Sequence, residues 1–157
     1  MTSNTKSTYI FKPWQNNKDY SEVWRKCKTD ASIGLGWHDD AGGGINVSLY
    51  KLTTNQLLNS LRAHPHCRNA DGNIMHGRIK HIMKMFAYLK EMKDGDHLLI
   101  ARGSRDIHTK CVIVGKYYFD PRPNDPLWFP HRIRFAATSL NPPRQSTKRL
   151  NKTIHKA

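Results

Sequence analysis

Five residues in the first quarter of the chain, Ile33-Gly34-Leu35-Gly36-Trp37, carry the clearest chemical signal in it. Apolar side chains alternate with glycine, and alternation at a period of two belongs to a strand with one buried face. The two glycines leave the opposite face bare, so a second backbone or a flat ligand can come close. Trp37 ends the run with a large, rigid, polarisable surface suited to stacking. The competing role for that indole is to fill the core. Other chemistries are poorly supplied. His38, Asp39 and Asp40 offer one carboxylate pair in a glycine-rich turn, whereas a catalytic metal site draws its ligands from several elements. Gly42-Gly43-Gly44 lacks the Lys-Ser/Thr of a P-loop and reads as a turn. His64, His66, Cys67, His76 and His81 fall close together without the paired CxxC spacing of a zinc site. There is no HExxH and no nucleophile elbow. The expectation is a binding module rather than an enzyme, with no catalytic residue, no metal and no cofactor.

What such a module binds is indicated by charge. Twenty-six Lys and Arg stand against twelve Asp and Glu, a net +14 with the nine histidines neutral. That balance points to a polyanion and falls in the range of nucleic-acid binders, but charge alone does not choose which polyanion. A membrane partner is not expected, because no apolar run approaches the ~20 residues of a span and no basic amphipathic helix stands out. The N-terminus carries no signal-peptide core. Cys27, Cys67 and Cys111 are odd in number and far apart, which suits free thiols in a reducing compartment, cytoplasm or nucleus. At 157 residues the chain fits one domain able to bury about two-thirds of its unfolded surface.

The elements that must position these residues follow from periodicity and punctuation. Residues 1–8 read as a disordered N-terminus. Tyr9-Ile10-Phe11 is a first strand, stopped by Pro13. Tyr20, Val23, Trp24 and Cys27 fall at i, i+3, i+4 and i+7 and predict a helix with one buried face. The glycine strand follows at 32–37. Thr53 or Thr54 caps a short helix carrying Leu57, Leu58 and Leu61, ended by Pro65. The longest helix bears Ile79, Ile82, Met83, Phe86 and Leu89. After the turn Lys93-Asp94-Gly95-Asp96, strands at 97–101 and 110–119 form a hairpin, with Arg102, Arg105 and Lys110 about its loop as phosphate contacts. A closing strand, His131–Phe135, is expected to turn His131, Arg132 and Arg134 outward, the two arginines toward phosphate. The segment 141–157 reads as a polar, basic tail that only Leu150 and Ile154 can dock.

This order of elements resembles the PUA-like superfamily, specifically its EVE and YTH-type domains. The matching residues are Ile33–Trp37, Asp94-Gly95-Asp96 before a strand, Val114-Gly115 before Tyr117-Tyr118-Phe119-Asp120, and Phe129-Pro130-His131-Arg132-Ile133-Arg134-Phe135. The resemblance spans residues 9–140 and implies an α+β fold, a small open β-barrel surrounded by helices. It also implies a reader of a modified, methylated base such as N6-methyladenine, in RNA or DNA, held in an aromatic cage; a stand-alone reader and one served by an effector domain or subunit on another chain are both compatible with it. By that resemblance Trp37 and Trp128 are cage walls and Trp14 is a third. Asn16, Asn17, His38 and Asp39 are the candidates for the base edge. Two stacking walls contribute about 1–3 kcal/mol each, which roughly offsets the few kcal/mol of base extrusion. Net affinity must then come from phosphate contacts. The competing readings are a small metal-dependent nuclease or RNA-processing enzyme built on the histidine cluster, and a basic protein-interaction module.

Overall fold

The apolar run near the N-terminus forms β1 (Thr8–Phe11), and the amphipathic stretch after it forms α1 (Tyr20–Asp30). The computed structural model describes residues 5–13, 20–36, 45–102, 106–125, 127–145 and 154–156, with the backbone alone for 137–145. All four residues of the predicted stripe on α1 are buried. Ala31, at φ 53°, reverses the chain into β2 (Ser32–Leu35). The next helix, α2 (Thr54–Ala63), begins on a reciprocal cap. The Thr53 hydroxyl accepts from the Gln56 N–H, and the Gln56 side chain accepts from the Thr53 N–H, together worth about 1 kcal/mol. The longest helix, α3 (His76–Glu91), buries Ile79, Ile82, Met85, Phe86 and Leu89. Met83 is only partly buried, because the stripe is rotated toward the Ile82–Leu89 side.

The remaining strands are β3 (His97–Arg102), β4 (Asp106–Phe119), β5 (His131–Gln145) and β6 (Ile154–Lys156). All six form one sheet in the order β2-β5-β4-β3-β1-β6. The β1–β3 pair is parallel and the others are antiparallel. The observed class is therefore α+β, with an open mixed sheet that does not close into a barrel. Tyr9, Phe11, Leu98 and Ile100 join the main core. Ile10, Leu99, Ala101 and Ile107 form a smaller cluster, so β1 and β3 are covered on both faces and read as continuous apolar runs.

Two irregularities shape the surface. Between Val114↔Arg134 and Tyr118↔Arg132, three residues of β4 oppose one of β5. Gly115 supplies the positive φ of 79° that this bulge needs. Tyr117 turns inward there and Lys116 outward. Farther along, Ile107↔Arg144 is followed by Thr109↔Ser139, and the extra residues of β5 include Pro142 and Pro143, which have no N–H to give a ladder. His108 is the residue of β4 left unpaired in that interval, against β3 as well. The predicted turn ahead of β3 is held by its acids. Asp96, buried, accepts from the Ser7 and Lys93 N–H groups at 3.1 Å each, and Asp94 accepts from the Gly115 N–H at 2.9 Å. Two expectations about the C-terminus change. The closing strand runs ten residues past Phe135, to Gln145, and the segment expected as a tail adds β6, whose Ile154 is fully buried against β1.

Candidate nucleic-acid interface

Glycine in β2 does what its spacing suggests, but the group that approaches is the protein's own. A Cβ at Gly34 would lie 2.4 Å from Arg132 Nη1 and 2.5 Å from the Phe129 carbonyl oxygen. One at Gly36 would only touch the Phe129 ring, at 3.4 Å. Arg132 crosses the bare strand and donates from Nε to Ser32 Oγ and from Nη2 to the Ser32 carbonyl, both 2.7 Å. Its Nη1 donates to the Phe129 carbonyl at 3.0 Å. Trp128 lies on this guanidinium, with Arg132 Cζ 3.7 Å and Arg122 Cζ 3.5 Å from the indole centroid. Two guanidinium carbons that close to one centroid occupy opposite faces of the ring. Arg122 in turn bridges Asp120 at 3.0 Å and Asp30 at 3.2 Å. Burial pushes the Asp30 carboxyl up, but hydrogen bonds from Ser32 and Arg122, with the charges of Arg132 and Arg122, bring it below the usual carboxylate range.

The stack corrects two assignments. Trp128 is 2% exposed, its indole N–H donates to the Asp120 carbonyl at 2.7 Å, and both faces are covered. It offers no open wall to a base. Arg132 is equally buried, with its guanidinium donors engaged within the protein, so it is not a phosphate contact. His131, expected outward, is also fully buried. Burial keeps the Tyr117 phenol protonated, so it accepts from the Leu49 N–H and donates to His131 Nδ1. His131 Nε2 then donates to the Ile45 carbonyl. This chain of bonds pins residues 45–49 to β4 and β5.

The other cations predicted for phosphate do lie at the surface where they are described. Arg102, Lys110 and Arg134 are exposed. The Arg102 guanidinium stands over Tyr20 at 5.2 Å and that of Arg134 over Tyr118 at 4.8 Å. Trp14, Asn16, Asn17, Trp37, His38, Asp39 and Arg105 lie outside the described residues.

Sequence reasoning missed the group around His108. Tyr20 Oη and His108 Nε2 are hydrogen-bonded, and His108 Nδ1 lies 2.8 Å from Thr109 Oγ1. Trp24 meets the imidazole edge-on at 5.8 Å and stacks on Phe135 at 6.0 Å. Burial, with the positive charges of Arg102 and Lys28, lowers the imidazole's pKa, while burial raises that of the Tyr20 phenol. The neutral assignment follows: Tyr20 donates to Nε2 and Nδ1–H donates to Thr109. From periodicity Tyr20 and Trp24 read only as core positions, and the register shift that turns His108 toward them is invisible in one dimension.

Among the described residues no three His, Cys, Asp or Glu side chains are grouped to hold a metal ion. His64, buried, accepts the His66 N–H on Nδ1. All three cysteines are buried, and desolvation raises each thiol, that of Cys111 to about 12. Among the described residues no helix is long and apolar enough to cross a membrane.

Fold and surface together define a small, strongly basic α+β domain built on an open mixed sheet. The model of a family described as a domain of unknown function, DUF8426, matches residues 11–134, and the chain belongs to that family. No curated protein matches the sequence.

Proposed function

We propose that this domain binds nucleic acid and reads a modified base, a PUA-like domain of the EVE/YTH type acting as a recognition module. The observation that carries the reading is the net charge of +14, borne by a chain whose motifs follow one another in an order similar to that of EVE and YTH-type domains. The structure alters how the base would be held. With Trp128 covered, the stacking walls are Trp37, which follows the glycine strand directly, and Trp14. The Arg122–Trp128–Arg132 stack fixes the loop whose Phe129 ring lies beside Gly36. Arg102, Lys110 and Arg134 supply phosphate contacts, which carry affinity but no sequence information.

The test is a panel of short single- and double-stranded RNA and DNA oligonucleotides, with and without methylated adenine or cytosine, titrated at several salt concentrations. Salt-dependent binding with a preference for one modified base is the expected result, and Trp37→Ala abolishes the preference. Trp128→Phe, which keeps an aromatic face for both guanidiniums, retains it. Binding indifferent to modification in every member of the panel would refute the reader.

A further inference from the structure

We infer that Tyr50, ringed by lysines, is a stacking platform for an unpaired base of a single-stranded nucleic acid, separate from the site proposed for the modified base. The inference rests on the nucleic-acid reading and extends it to a second contact point. Tyr50 is 53% exposed, the highest value among the large hydrophobic side chains described. It sits in the short 3-10 turn Leu49–Lys51, and that turn is tethered from below. Leu49 is buried, its N–H donates to Tyr117 Oη at 2.9 Å, and Ser48 Oγ accepts from the Tyr50 N–H at 3.3 Å. The Tyr50 ring also meets that of Tyr117 edge-on, with centroids 5.2 Å apart and an interplanar angle of 72°. A ring supported along one edge and fixed through its backbone loses little freedom when a base stacks on it.

Two ammonium groups from distant elements converge on the same ring. Lys90 Nζ, from the last turn of α3, and Lys116 Nζ, from the Gly115 bulge of β4, each stand 5.9 Å from the Tyr50 centroid. Lys51, next to Tyr50 in the chain, and Lys93, just past α3, are exposed as well. The bulge that turns Lys116 outward is anchored by Asp94, whose carboxylate accepts the Gly115 N–H. An aromatic face with ammonium groups about it matches a base flanked by phosphates: the ring takes the base and the lysines pair with the backbone oxygens. Bases stack on such a ring whatever their identity, so the platform strengthens binding without choosing a sequence.

The experiment is fluorescence anisotropy with a labelled twelve-residue oligothymidylate and with the best modified oligonucleotide of the panel. The proteins are the full chain, Tyr50→Ala, Tyr50→Trp, and the double variant Lys90→Gln/Lys116→Gln. Tyr50→Ala is expected to weaken both oligonucleotides roughly tenfold, with the preference for the modified base unchanged, while Tyr50→Trp binds at least as tightly as the native protein. The double lysine variant should flatten the dependence of log Kd on log salt by about 1.4, or about 0.7 for each phosphate no longer neutralised. If Tyr50→Ala binds as the native chain does, the platform is refuted while the modified-base reading stands. If the native chain binds no oligonucleotide, both fail together. Loss of the base preference in Tyr50→Ala would overturn the separation of the two sites. Binding of phosphatidylserine vesicles through Tyr50, in place of oligothymidylate, would assign the surface to lipid and end the proposal.

Discussion

The guanidinium of Arg132 and that of Arg122 touch the same indole, yet their surroundings give them different weights. Arg132 donates to Ser32 Oγ, to the Ser32 and Phe129 carbonyls and to Cys27 Sγ, so Arg132→Ala removes these bonds, opens a void and costs about 3 kcal/mol. Arg122 is 45% exposed and its ion pairs are screened by water. Arg122→Ala costs about 1 kcal/mol, most of it from removing the cation–π interaction. Urea denaturation of the two variants checks this, and equal losses would contradict the layered arrangement. His108 gives a second, pH-dependent test. Its folded pKa is depressed, so between the unfolded value near 6.5 and the folded one the unfolded state binds more protons. The stability it contributes is fully present above about pH 6.5 and is lost as pH falls through the folded pKa. His108→Gln is expected to flatten the stability profile across that interval. Asp30 and Asp125, both held below the usual carboxylate range, lose their contribution only below the ordinary carboxylate pKa of about 3.9.

Gly34 in β2 and Gly36 just past it separate a steric requirement from mere room. Gly34→Ala would drive a methyl into Arg132 and a backbone carbonyl, an overpacking expected to cost about 1–3 kcal/mol. Gly36→Ala meets only the Phe129 ring at ordinary contact distance and is expected to change stability by under about 1 kcal/mol. Thermal melts of the pair read the difference. That the strand needs glycine is legible in Ile33–Trp37, because period-two alternation with no side chain on one face allows a close neighbour. Which neighbour is not legible. Arg122 and Arg132 flank Trp128 in the sequence, but the fold of the intervening loop decides whether they cover the ring or leave it open. The same limit applies at the C-terminus. Local pattern ends β5 at Phe135, since Pro142 and Pro143 argue against a strand, whereas the bulge opposite His108 absorbs them. β6 has three residues, too few for alternation to register, and its pairing with β1 spans nearly the whole chain. Ile154→Ala should cost about 2–4 kcal/mol in urea denaturation if that pairing carries the edge of the sheet.

Charge acts through the whole surface, and its excess is legible from composition alone, whereas its distribution is not. Composition counts Arg132 with Arg134, although one lies inside the protein and the other on it. Only exposed cations displace counterions from a nucleic acid, so the fold divides a run that looks uniform into structural and binding members. That division has a measurable consequence. A domain that neutralises about three to five phosphates of a single strand gives a slope of log Kobs against log salt of about −2 to −3.5. Arg102→Gln and Arg134→Gln each remove one exposed guanidinium that stands over an aromatic ring. Each is expected to make the slope shallower by about 0.7 while leaving the preference among bases unaltered. Arg122, tied to Asp30 and Asp120, has its charge already compensated, and Arg122→Gln should leave the slope where it was. Titrations of one unmodified single strand across roughly a fourfold range of salt distinguish these outcomes. Should Arg122 govern the slope and Arg102 and Arg134 leave it unmoved, the polyanion would lie across the Trp128 stack, and the indole would have to be counted again among the walls of the site.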